Sequence, residues 1–161
     1  MLIGRFGDTT GAPYVEGRVV FPRLGIHGDV SFLVDTGADT SLLSAMDAIH
    51  IGIDFGRITR RSEAQGLGGI IVPTYVEQAI VVFSEPGVAI WAYRGDLEIT
   101  TPDPDDYITE VPIDTEEARK VPSLLGREIL DRWRMVYDPY NESLTFEIHT
   151  ADLFVDRSKE L

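Results

Sequence analysis

Three kinds of residue in this chain could do chemistry. The first is a carboxylate on a tight turn, in Phe32-Leu33-Val34-Asp35-Thr36-Gly37-Ala38-Asp39-Thr40-Ser41. An apolar run ends abruptly in an acid, and a hydroxyl residue and a glycine follow at once. That pattern places a carboxylate at the end of a buried strand. Gly37 frees the backbone and leaves room for close approach, and Thr36 can enter a hydrogen-bond network that fixes the loop. A carboxylate so placed can serve as a general acid or base, or simply close an Asx-type turn with Gly37. The second kind is histidine. His27, His50 and His149 show no metal-ligand spacing and read as scattered solvent-facing side chains. The third is arginine. Arg57, Arg60 and Arg61 could meet acidic substrates, although a solvated strand edge is the simpler reading.

The elements around Asp35 are mainly strands. Tyr14 to Phe21 and Val30 to Val34 are rich in β-branched and aromatic residues, with Gly25-Ile26-His27-Gly28 as the turn between them. Residues 70–83 and 88–99 read as two more strands around Glu85-Pro86-Gly87. Trp133 to Asp138 and Ser143 to His149 make a last pair around Pro139-Tyr140-Asn141. Two short helices are expected. One is capped by Ser44, carries Asp47 in a capping-box position and stops at Gly52. The other covers Ser123 to Arg132, with Leu124, Leu125, Ile129 and Leu130 facing inward. Trp91, Tyr93 and Trp133 read as core or interface residues.

Composition narrows the function. The 161 residues suit a single domain, and a 43% hydrophobic fraction is ordinary for a globular one. A formal charge of −13 argues against nucleic-acid ligands, because phosphates are repelled. The chain has no cysteine, which removes disulfides and thiolate metal sites and fits a reducing compartment. Met1-Leu2-Ile3-Gly4-Arg5 does not read as a signal peptide, and no apolar run reaches membrane-spanning length. A cytoplasmic location, no membrane association, no metal and no cofactor are the corresponding expectations. Residues 94–120 carry many acids and three prolines and read as an exposed acidic insertion. Within it, Asp103-Pro104-Asp105-Asp106 lacks the glycine and terminal glutamate of an EF-hand loop.

Three separated pieces, in order, resemble the retroviral-type aspartic proteases, or retropepsins. They are Leu33-Val34-Asp35-Thr36-Gly37-Ala38-Asp39-Thr40, then Gly66-Leu67-Gly68-Gly69, then Leu124-Leu125-Gly126-Arg127-Glu128-Ile129-Leu130. Together with the strands between them they span about residues 14–150, and the acidic segment is the clearest departure from the compact viral pattern. The resemblance implies a mainly β, retropepsin-like closed barrel, an acid-protease half-fold with one or two short helices that works as a homodimer. It implies an aspartic endopeptidase acting on a peptide or protein substrate. Asp35, Thr36 and Gly37 would form the catalytic loop, and Ala38 and Asp39 would contact substrate. Gly66, Leu67, Gly68 and Gly69 would form the tip of a flap closing over it, though alone they could be a plain turn. Gly126 would pack behind the loop, and Arg127 would pair with Asp39. If that pair is buried, removing Arg127 should cost about 3–5 kcal/mol.

Such enzymes hold one water between two carboxylates, one acting as base while the other donates a proton. Two carboxylates about 3 Å apart share a proton, because both cannot readily ionise. Asp-Thr-Gly occurs once here, and Asp8-Thr9-Thr10-Gly11 is no second copy because its glycine comes one position late. A two-lobed monomer is therefore excluded, and a symmetric dimer must supply the second Asp35. The competing reading is a dimerisation or peptide-binding module that keeps the loop without turnover.

Overall fold

The computed structural model describes residues 1–65, 71–103 and 121–159. In chain order the elements are β1 (Leu2–Ile3), β2 (Arg5–Phe6), β3 (Pro13–Phe21), β4 (Ile26–Val34), β5 (Leu42–Leu43), α1 (Ala45–Ile51), β6 (Arg60–Gln65), β7 (Ile71–Glu85), β8 (Ala89–Thr100), β9 (Leu124–Leu125), α2 (Arg127–Leu130), β10 (Trp133–Asp138), β11 (Ser143–Ile148) and β12 (Leu153–Asp156). The mainly β architecture with two short helices is as the sequence implies.

The strands β8, β5, β9, β4, β3 and β7 are hydrogen-bonded in that order, and β7 pairs back to β8, so the sheet closes into a six-stranded barrel. The long β7–β8 hairpin runs in unbroken register from Thr74↔Thr100 to Glu85↔Ala89. On the far side of β7, β6 forms a second hairpin, paired from Arg60↔Val76 to Gln65↔Ile71. A separate three-stranded sheet, in the order β1-β11-β10, packs against the barrel.

Alternation fills the barrel. Val15, Val19 and Phe21 of β3 and Val30, Phe32 and Val34 of β4 are buried, as are Val81 and Phe83 of β7. Trp133 joins the small sheet to the barrel. Its ring packs edge-on against Phe83 at 4.8 Å and Phe146 at 5.3 Å between centroids. Its Nε1–H donates to the Tyr93 hydroxyl at 2.6 Å, and that hydroxyl donates to the Thr150 carbonyl at 2.9 Å. Tyr93 and Trp133 are thus core residues, whereas Trp91 is only half-buried and packs on Phe154 of the edge strand β12.

Two sequence expectations shift. The β3–β4 turn occupies residues 22–25 rather than 25–28, with Gly25 at φ +68°. His27 and Gly28 lie in β4 opposite Val20 and Val19. The predicted helix from Ser123 is replaced in its first half by strand. Leu33↔Leu124 and Val34↔Leu125 pair in parallel, and only Arg127–Leu130 is helical. The amides of Gly126 and Arg127 are taken by Ser41 Oγ and the Ala38 carbonyl, which anchors this stretch to the Asp35 loop. The start of the acidic segment is strand, as the reading of 88–99 implies. Residues 94–100 belong to β8, and Leu97 and Ile99 point into the core. Residues 104–120 lie outside the described residues.

Candidate active site

Asp35 follows the last residue of β4. Its amide continues the ladder by donating to the Leu125 carbonyl at 3.0 Å. The chain then turns sharply. Gly37 N–H donates to Asp35 Oδ1 at 2.9 Å, and Ala38 N–H donates to the Asp35 carbonyl at 3.2 Å. The Asx-type turn is therefore real. It orients the carboxyl, which is half-exposed just past the end of β4, while Thr36 and Gly37 are exposed beside it.

The 124–130 stretch clamps this loop from behind. Arg127 N–H donates to the Ala38 carbonyl at 2.9 Å and Glu128 N–H to the Asp39 carbonyl at 3.2 Å. Glu128 Oε1 accepts from Ser41 N–H at 2.8 Å, and Ser41 Oγ accepts from Gly126 N–H at 2.9 Å. Gly126 must be glycine because of space. A Cβ there would stand 2.5 Å from the Thr40 carbonyl carbon and 2.7 Å from its oxygen.

Helix α1 is tied to the same frame. Ser44 Oγ accepts from Asp47 N–H at 3.2 Å, and Gly52 ends the helix in the left-handed region, as the sequence implies. The capping box is completed through a third residue that the sequence reading missed. Ser123 Oγ accepts from Ser44 N–H at 2.9 Å and donates to Asp47 Oδ2 at 2.5 Å. Its signal was a small hydroxyl just before an apolar pair, which reads equally well as a helix cap.

The guanidinium of Arg127 bonds the Asp39 carboxylate through Nη2, and its Nη1 donates to the Thr36 carbonyl at 2.8 Å. The expected pair is present, but it is not buried. Its side chains are 41% and 85% exposed, Arg127 and Asp39 respectively. Water competes for both charges, so Arg127→Ala is expected to cost about 1–2 kcal/mol in urea denaturation, counting an exposed ion pair and one backbone hydrogen bond. A loss above about 3 kcal/mol would mean the pair is buried in the working protein.

The three arginines near residue 60 are occupied locally. Arg57 donates to the carbonyls of Leu24 and Arg23. Arg60 holds Asp96 bidentately at 2.7 and 2.9 Å, and Arg61 stacks on the Tyr75 ring at 3.6 Å. None is left as a site for acidic substrates. Among the described residues no cluster of His, Cys, Asp or Glu could hold a metal ion, and no helix is long and apolar enough to cross a membrane. Gly66, Leu67, Gly68 and Gly69 lie outside the described residues, although the β6–β7 hairpin that leads to them is described up to Gln65 and Ile71.

No protein-family model matches the chain, and no curated protein matches it. Solved structures do. A retropepsin-like aspartic protease from Rickettsia conorii superposes with a TM-score of 0.52 at 20% identity, covering 89% of this chain and 86% of that one. The chain has the retropepsin-like fold. EIAV protease in complex with the inhibitor HBY-793 also matches, at a TM-score of 0.45 and 18% identity, over 78% of this chain and 90% of that one. In this retropepsin-like fold, the first and third of the three sequence pieces meet. Asp35 lies on a loop held by Gly126 and Arg127.

Proposed function

We propose that the chain is an aspartic endopeptidase that works as a homodimer, each subunit contributing one Asp35. The observation that carries this reading is the half-exposed Asp35 carboxyl at the end of a buried strand, oriented by Gly37 N–H and clamped by the 124–130 stretch. One carboxylate cannot be base and acid to the same water at once, so a second must come from a partner. Two-fold symmetry would bring the exposed Thr36 and the half-exposed Asp35 of each subunit to the axis. The β6–β7 hairpin would carry Gly66, Leu67, Gly68 and Gly69 over an extended peptide as a flap, their amides meeting its backbone. Gly37, Ala38 and Asp39 would bind the same peptide from below.

The fold likeness supports the reading, since the Rickettsia protein with the same fold is described as an aspartic protease. The test is specific activity on a mixed peptide library across a range of protein concentrations. Activity per subunit is expected to rise with concentration until dimer saturates. A protein that assembles yet cleaves nothing would favour the non-catalytic module.

Association has to work against charge. Each subunit carries −13, and repulsion between exposed charges is screened over about 10 Å at 0.1 M salt. The dimer dissociation constant, measured by sedimentation, is therefore expected to fall as salt is added. A constant that rises with salt would show that attractive charge pairs dominate the interface.

A further inference from the structure

The barrel strands carry one continuous row of side chains on the face that Asp35 occupies. Leu33 pairs with Leu124, Leu124 with Leu42, Leu42 with Glu98, and Glu98 with Val76. Their chain neighbours Phe32, Val34, Leu125, Leu43, Leu97 and Ile99 are all buried in the core. The row therefore faces away from the core, and each of its members is half-buried. Leu33 stands two residues before Asp35, so its side chain leaves the strand on the same side as that carboxyl. Three leucines and a valine give an apolar floor, and Glu98 is its one acid.

We propose that Glu98 gives the peptide-binding face a carboxylate that selects a basic side chain, Lys or Arg, on the substrate. This rests on the reading of the chain as an aspartic endopeptidase. Three strand spacings, about 14 Å, separate Leu33 from Glu98, a distance an extended peptide covers in about four residues. The selected side chain thus lies within about four residues of the scissile bond.

Several observations favour a ligand over a structural task. Among the described residues no ion pair reaches Glu98. Arg60, opposite Val76, is already held by both oxygens of Asp96. Burial pushes the Glu98 carboxyl above the usual carboxylate range, and a hydrogen bond from Ser62 of β6 offsets this in part. A carboxyl whose folded value is raised destabilises the fold above that value, and the cost disappears below the unfolded value. Glu98→Gln is therefore expected to raise the melting temperature at neutral pH and to leave it nearly unchanged in acid. A half-buried acid with no ionic partner among the described residues, on the row that leads to Asp35, is a candidate functional position. An incoming ammonium or guanidinium would supply the missing partner, and the overall charge of −13 draws cations in.

The test is cleavage profiling of one peptide library by the wild-type protein, Glu98→Gln and Glu98→Lys. The wild type is expected to prefer Lys or Arg over Leu at one position by about tenfold or more. That ratio should collapse toward one in Glu98→Gln and turn toward Asp or Glu in Glu98→Lys. A change confined to melting temperature, with the ratio intact, would overturn the proposal and leave proteolysis standing. So would a wild-type profile with no basic preference within four residues of the cut. A wild-type dimer that cleaves nothing would overturn the endopeptidase reading, and this proposal with it.

Discussion

Replacing Asp35 with Asn is expected to lower kcat/KM by about 10³-fold or more while leaving the fold in place. Among the described residues, the side chain's one structural bond is the acceptance of Gly37 N–H at Oδ1. An amide oxygen can accept the same bond, so the turn survives. The amide cannot take a proton from water at neutral pH, and the general-base contribution, about 10²–10⁴-fold, is lost at both copies of the residue. Melting temperature and sedimentation should match the unmodified protein within error. Comparable cleavage by a well-folded Asn variant would place the chemistry elsewhere.

Gly126→Ala should be the most damaging substitution that touches no reacting group. The added methyl would stand 2.5 Å from the Thr40 carbonyl carbon and 2.7 Å from Glu128 Oε2. The glutamate can move, but it holds Ser41 N–H, and the Thr40 backbone belongs to the Asp35 loop itself. Either the loop or the 124–130 stretch must shift. Overpacking of this kind costs about 1–3 kcal/mol, and a displacement of about 1 Å at a reacting group can cost about 10²-fold in rate. Urea denaturation and kcat together check this. A variant as stable and as active as the parent would mean the loop is not held by this contact.

Much of this arrangement is legible in the sequence because it is local. Ser44 and Gly52 cap α1 through bonds within a few residues, so residue type alone places the helix. The alternation in Val15, Val19 and Phe21 reads directly as a strand with one buried face. Leu124 and Leu125 fail that test. Two leucines before a glycine suit a helix as well as a strand, and pairing with Leu33 and Val34, some ninety residues away, decides the matter. The Arg127–Asp39 pair follows from the family resemblance, but its exposure is a property of the assembled surface. Glu98 falls under two overlapping readings, a strand over 88–99 and an acidic insertion over 94–120. Counted among the acids of 94–120 it looks solvated, yet Leu97 and Ile99 on either side mark it as part of an alternating strand.

The most direct test of a site shared between two subunits is a mixing experiment. Unmodified protein is equilibrated with increasing amounts of the Asp35→Asn variant at constant total concentration, and the rate of peptide cleavage is followed. A mixed dimer holds only one Asp35, so the rate is expected to fall as the square of the unmodified fraction. A rate strictly proportional to that fraction would mean that each subunit works alone, and would contradict the homodimeric site.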